Sequence, residues 1–195
     1  MRDREASGGD RAAERLLALL EATGNLVSTA TMDGRLTWLN RGGRKLAGWD
    51  ADEPLAGKRI ADLHPDWVVR KLEDEAIPAA IREGTWQGAT AIRTRDGREV
   101  PVWQEILCHR EADGGAAYLS TIMRDISARV RAEQALKESE ERFSLFMDYL
   151  PASVFIKDAR SRILYANRFF REAFRIDEYS GKWAYDFFDK ATADG

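Results

Sequence analysis

The stretch Thr31-Met32-Asp33-Gly34-Arg35-Leu36-Thr37-Trp38-Leu39-Asn40 decides the fold. Asp-Gly is favoured where a tight turn needs positive φ, and the flanking runs, Leu26 to Thr31 and Arg35 to Leu39, have the aliphatic, aromatic and β-branched make-up of short strands. The segment predicts a hairpin turning at Met32-Asp33-Gly34 and ending on Asn40, whose side chain can cap the next helix. Upstream, Asp10 to about Ala22 sets Leu16, Leu17, Leu19 and Leu20 at helical spacing beside Arg11, Glu14, Arg15 and Glu21, which predicts an amphipathic helix. Residues 1–9, charged and Gly-containing, are expected to form a disordered tail.

Downstream of Asn40, short helical pieces are broken by Gly42-Gly43, Gly48, Pro54 and Gly57. A longer amphipathic run from Trp67 to about Glu83 must be kinked or shortened by Pro78. Three alternating segments come next, Thr85–Arg95, Arg98–Arg110 and Ala116–Asp125, separated by the turn sequences Asp96-Gly97 and Asp113-Gly114-Gly115. Two strands, small helices and three strands make an α+β domain with one antiparallel sheet. From Ile126 to about Tyr149 the chain is a charged helix. Leu136, Phe143 and Leu150 recur every seven residues with Phe146 on the alternate position, a stripe suited to a coiled-coil seam or to the surface of a neighbouring domain.

Composition narrows the function. With 30 Lys+Arg against 33 Asp+Glu, a net charge of −3 and 44% hydrophobic residues, the 195-residue chain is globular and lacks the broad basic surface of a nucleic-acid binder. One Cys excludes an internal disulfide. No apolar run reaches the ~20 residues of a membrane span, and the N-terminus has no signal-peptide core, so a cytoplasmic chain without membrane contact is expected. No phosphate-binding loop, nucleophile elbow or metal-ligand spacing appears, so no catalytic residue and no metal site is assigned. Cys108 and His109, adjacent on a strand, point to opposite faces and cannot act as a pair.

A shift of 127 residues lays the later chain on the earlier: Glu14-Arg15 on Glu141-Arg142, Val27 on Val154, Leu36 on Ile163, Trp38 on Tyr165 and Asn40-Arg41 on Asn167-Arg168. After a three-residue deletion, Gly57-Lys58 meets Gly181-Lys182. The helix and hairpin therefore occur twice. The expected organisation is a domain at 10–125, a linker helix at 126–150, and at 151–195 the truncated first half of a second domain, too short to bury an ordinary core by itself.

The opening stretch, with Leu46-Ala47-Gly48-Trp49, Leu55-Ala56-Gly57-Lys58, His64-Pro65-Asp66, Gly84-Thr85-Trp86-Gln87-Gly88, Arg95-Asp96-Gly97-Arg98 and Met123-Arg124-Asp125-Ile126-Ser127 after it, resembles a PAS sensor domain with its C-terminal PAC-like segment. Glu138-Ser139-Glu140-Glu141-Arg142-Phe143 resembles the linker into a second PAS domain. The resemblance implies a five-stranded antiparallel sheet with flanking small helices, in a non-enzymatic sensory and dimerisation module of a bacterial signalling protein. Its output domain would lie elsewhere in the parent chain: a two-component histidine kinase first, a diguanylate cyclase or phosphodiesterase as an alternative. Asn40, Asp125 and Ile126 would transmit the signal into the linker helix. A homodimer through the N-terminal and linker helices is the implied partner arrangement.

The resemblance also bears on cofactors. Flavin-binding relatives carry a reactive Cys on a short helix and amides on the sheet; here Gly57–Leu63 has no Cys, and Ile92, Val102 and Met123 stand at the amide positions, which disfavours flavin. Haem-binding relatives place a His on the long helix, and Trp67–Glu83 has none; His64, just before it, is expected to be a cap or surface residue. No cofactor is therefore predicted. Strand alternation turns Thr90, Ile92, Val102, Gln104, Ile106, Leu119, Thr121 and Met123 inward, a lining that suits a small apolar ligand oriented by Gln104 or, equally, a fully packed core. On the other face, Trp103, Glu105, Leu107, Ser120 and Ile122 leave an apolar patch to be covered by the N-terminal helix or a partner subunit.

Overall fold

The Asp33-Gly34 turn closes the first hairpin as its composition requires: Gly34 takes φ 83°, and strands β1 (Leu26–Thr31) and β2 (Leu36–Leu39) pair antiparallel on either side. The computed structural model describes residues 2–176, 182, 183, 186 and 187. These divide into two units, one up to Val130 and one from Arg131.

In the first unit, helix α1 spans Arg2–Ala22 and begins eight residues before the expected cap at Asp10. The charged start carries Arg2, Asp3, Arg4 and Glu5, and Ala6, Ala12 and Ala13 are strong helix formers, so the tail expected at residues 1–9 is helical from Arg2 despite Gly8-Gly9. After the hairpin come α2 (Arg41–Ala47), a 3-10 turn (Ile60–Leu63), α3 (Asp66–Lys71), a π-turn (Leu72–Ala76) and α4 (Ile77–Glu83). The π-turn is how the helical run survives Pro78. Ile77 donates its N–H to the Leu72 carbonyl five residues back, and the wider turn carries the chain up to the proline.

Strands β3 (Thr85–Arg93), β4 (Glu99–Arg110) and β5 (Ala116–Asp125) complete a five-stranded antiparallel sheet in the order β2-β1-β5-β4-β3. Pro101 is tolerated in central strand β4 because it lies beyond the last β4–β5 pair, Val102 with Asp125, and its carbonyl instead accepts the Ile126 N–H at 3.0 Å. One sheet face packs on the small helices, with Leu26, Leu63, Val68, Ile92, Val102 and Met123 almost fully buried.

Gly42 in α2 has a packing reason. A Cβ there would stand 2.5 Å from the Thr23 carbonyl oxygen and 2.6 Å from that of Asn25, both backbone atoms that cannot swing away. Gly42→Ala, which would favour an isolated helix by about 1 kcal/mol, is therefore expected to destabilise the unit by about 2 kcal/mol, read as a lower urea midpoint; an unchanged or raised midpoint would refute the close approach.

Helix α5 (Ser127–Tyr149) crosses from the first unit into the second and ends one residue short of Leu150. The second unit repeats the first hairpin as β6 (Phe155–Lys157) and β7 (Ile163–Ala166), and then α6 (Arg168–Phe174). The repeat extends to individual bonds. Leu36 N–H reaches the Lys58 carbonyl and Ile163 N–H that of Lys182, while the Arg35–Arg59 bridge is matched by Arg162–Trp183. The three-residue deletion is thus real, although Gly181 lies outside the described residues. This unit buries Ile163, Ala166 and Phe170, with Phe155, Phe174 and Phe187 around them.

Candidate functional site

Asn40 does more than cap α2. Its Oδ1 accepts from the N–H of Gly43 at 2.8 Å and of Val27 at 2.9 Å, while Nδ2 donates to the carbonyls of Leu20 at 2.7 Å and Asn25 at 2.9 Å. One fully buried amide thus joins the last turn of α1, the start of β1 and the first turn of α2. Glu21 strengthens the junction by accepting the Arg41 N–H at 2.7 Å. Asn167 repeats the set in the second unit, bonding Phe170 N, Val154 N and the carbonyls of Met147 and Ala152, with Asp148 on Arg168 N. Met147 belongs to α5, so the same device that fastens α1 to the first unit fastens the end of α5 to the second.

At the other end of α5, Asp125 Oδ1 accepts from Ser127 N at 2.7 Å, and Ile126 is held to Pro101 of β4. Asp125 also borders a surface cleft of about 560 Å³ with Glu21, Thr23, Arg41 and Lys45, so the start of α5 and the α1–α2 junction share one edge of the first unit.

All eight inward-predicted residues lie on the inner sheet face. The structure divides them. Gln104, Ile106, Leu119, Thr121 and Met123 line a cavity of about 20 Å³, whereas Ile92 and Val102 are packed into the core beside it. Thr90 donates its hydroxyl to Gln104 Oε1 at 2.8 Å, Gln104 Nε2 donates to Thr121 Oγ1 at 3.3 Å, and Thr121 donates to the Glu105 carbonyl at 2.7 Å. The amide assigned to orient a ligand is therefore tied to its own sheet neighbours. Ser28, Leu63, Leu72, Ile77 and above all His64 also line the cavity, contributed by segments far away in sequence.

His64 is fully buried, not the cap or surface residue expected. The 3-10 turn that precedes His64 packs against β3, the edge strand of the sheet. Ala91 faces Pro101 in a pair without ladder bonds, so its carbonyl points away from β4 and lacks a strand partner. His64 Nδ1 supplies the donor at 2.7 Å. A carbonyl can only accept, so the proton sits on Nδ1 and Nε2 carries a lone pair. That Nε2 has no partner in the protein. Burial pushes the His64 pKa down to about 4, against the opposing bond to Ala91 and with Arg93 nearby adding to the depression. Its His-Pro-Asp setting signalled a helix start; nothing local signalled burial.

The apolar stripes are uncovered. Leu136 is 61% exposed and Phe146 63%, while Phe143 rests edge-on against Tyr165 at 5.2 Å. Leu16, Leu17, Leu19 and Leu20 of α1 are exposed too, as are Trp103 and Ile122 on the outer sheet face, so within the first unit α1 leaves that face open. His109 stacks on Tyr118 at 4.3 Å on the outer face, while Cys108 faces inward. Among the described residues no helix is long and apolar enough to cross a membrane, and no three His, Cys, Asp or Glu gather around a metal-sized site.

A five-stranded sheet in this order with helices across one face has a matching family model, described as PAS fold, over residues 20–131. The chain belongs to the PAS family. A second model, described as PAS domain, matches residues 141–194, so the sequence repeat is a repeat of PAS units. No curated protein sequence matches the chain. Among solved structures, a PAS domain from Colwellia psychrerythraea is 17% identical with TM-score 0.56, covering 60% of this chain and 98% of that one. A sensory box histidine kinase/response regulator from Burkholderia thailandensis is 20% identical with TM-score 0.51, covering 66% and 97%. The PAS domain of an HTR-like protein from Haloarcula marismortui is 20% identical with TM-score 0.50, covering 64% and 99%. At these identities the likeness is one of PAS fold.

Proposed function

We propose that this chain is a non-catalytic sensory and dimerisation module of a bacterial signal-transduction protein, working in the cytoplasm without a bound cofactor and passing a conformational change through α5 to an output domain of the same parent chain. A histidine kinase is the output we favour. The observation that carries this reading is the way α5 is fastened: Asp125 and Ile126 hold its first turn to the sheet of one PAS unit, and Asn167 holds the Met147 carbonyl to the next. A helix pinned at both ends converts a shift of β5 into a displacement of the second PAS unit, provided it has two packings to choose between.

The second packing surface is a second copy of the chain, through the exposed stripes of α1 and α5. Light scattering should give a dimer for the native chain and a monomer for the double variant Leu136→Glu, Phe146→Glu. Both side chains are exposed in the single chain, so the charges should not unfold it. The same monomeric mass for both proteins would remove α5 as a dimer seam.

A further inference from the structure

We propose that the bare edge of β3, over residues 85–89, docks a short extended peptide segment of a partner protein, uncharged and with apolar residues at alternate positions, as an added strand of the first unit's sheet. Hydrogen-bond parity defines the edge. At one end Cys108 donates its N–H to the Gly84 carbonyl at 2.9 Å, and at the other the Ala91 carbonyl is turned outward to His64. The β3–β4 register runs between these points without a shift, so Trp86, Gly88 and Thr90 bond to β4, while Thr85, Gln87 and Ala89 point their N–H and C=O groups away from it. Those six groups have no partner among the described residues, and all three residues are exposed. The sheet's other edge is covered: the Leu36 N–H of β2 reaches the Lys58 carbonyl at 3.0 Å, and the Ile60 N–H reaches that of Gly34 at 2.9 Å.

Edge strands are ordinarily blunted by a charge, a proline or a bulge, because unpaired edges recruit other strands. From Thr85 to Ile92 β3 has none of these, and charge begins only beyond, at Glu83 paired with Arg82 and at Arg93 paired with Asp66. Flanking charges that already neutralise one another select an uncharged peptide, since a charged residue laid between them loses hydration without a counter-charge. Side chains of an added strand alternate between the two sheet faces. Those on the inner face lie beside Trp86, whose indole crosses Gly88 where a Cβ would stand 2.5 Å from it and donates to Glu75 at 3.2 Å. Aliphatic residues at these alternate positions suit that neighbour. The length is set as well: α4 ends at Glu83 and His64 occupies the Ala91 carbonyl, which leaves five residues, about 17 Å of strand. Five residues a side fall far short of the roughly 20–30 that a stable pair of folded proteins engages. A single extended segment therefore fits this edge better than a second copy of the chain.

The probe is the capped pentapeptide acetyl-Thr-Val-Thr-Val-Thr-amide, added at millimolar concentration to the full 15N-labelled chain. Antiparallel addition centred on Gln87 puts its threonines in the bonded pairs and turns both valines toward Trp86. Binding is expected to be saturable and to slow amide exchange at Thr85, Gln87 and Ala89 by about tenfold or more, with Trp86 and Gly88, already bonded to β4, unchanged. N-methylation of the central threonine removes a bonding N–H and should abolish binding. N-methylation of a valine, whose N–H faces away from β3, should leave affinity within about twofold. Gln87→Pro deletes an outward N–H that β4 does not use, so the variant should fold and bind the peptide about tenfold or more weakly; the methylated peptides make the same test on the native chain. No saturable binding, equal binding of the two methylated peptides, or slowed exchange at Trp86 and Gly88 in place of the outward amides overturns the proposal. So does concentration-dependent protection of Thr85, Gln87 and Ala89 in the chain alone, which would assign the edge to a second copy. Light scattering is measured without peptide, so failure here is distinct from failure of the dimeric relay.

Discussion

Asn40→Ala is expected to destabilise the first PAS unit by about 4 kcal/mol, from four bonds lost at about 1 kcal/mol each. The loss of an N-cap alone accounts for only about 1 kcal/mol. Here the truncation also strands the Val27 N–H and the carbonyls of Leu20 and Asn25, in a site where the Asn40 side chain has no solvent exposure. Water cannot readily replace the lost partners, so each stranded group keeps its desolvation penalty. Asn40→Asp retains the oxygen that accepts from Val27 and Gly43 but sets a carboxylate against two carbonyl oxygens, and should be nearly as damaging. Five of the six tryptophans lie between Trp38 and Trp103, so a urea titration monitored by tryptophan fluorescence reports this unit. A loss under about 0.5 kcal/mol for Asn40→Ala would show that the amide is a simple cap.

Acid should weaken the first unit through His64 before it acts on the carboxylates. The unfolded chain takes up this proton near pH 6.5, the folded chain only near pH 4. Between those values the unfolded state binds more protons, so stability rises with pH across the window; it is fully present above about pH 6.5 and is lost as the pH falls toward 4. A difference of this size corresponds to about 3 kcal/mol. Asp33, Glu53 and Asp96 have lowered pKa values, Asp33 and Asp96 chiefly through the hydroxyls of Thr31 and Thr94 and Glu53 through Lys58, and their contributions fall away only below about 4.5, the ordinary value of a Glu. Urea midpoints measured from pH 7 to pH 4.5 should therefore drop steeply for the native chain and much less for His64→Phe. Parallel profiles for the two proteins would mean that His64 is not buried neutral.

Much of the PAS fold is written in local pattern. The Asp33-Gly34 and Asp96-Gly97 turns fall where predicted, β5 has the predicted bounds Ala116–Asp125, and inward and outward residues alternate as read, because a period of two and a positive-φ turn are properties of neighbouring residues. The 127-residue repeat was equally legible, since a repeated bonding pattern needs the same residue types at the same spacing. The start of α1 was misplaced because helix length at a charged terminus depends on many weak preferences and no single signal.

The candidate site divides along the same line. The residue types and alternation of the sheet placed Gln104, Ile106, Leu119, Thr121 and Met123 on the face that lines the cavity. Only the tertiary structure carried His64 under the edge strand and left its Nε2 without a partner, and only it engaged Gln104 with Thr90 and Thr121. The physical reason is separation along the chain. His64 and Ala91 are 27 residues apart, and their bond exists because the 3-10 turn before His64 packs against an edge strand whose outward carbonyl needs a donor. The sequence alone determined the strands, the turns and the repeat; the packing of distant segments decided that a buried ring nitrogen of His64 is left without a partner.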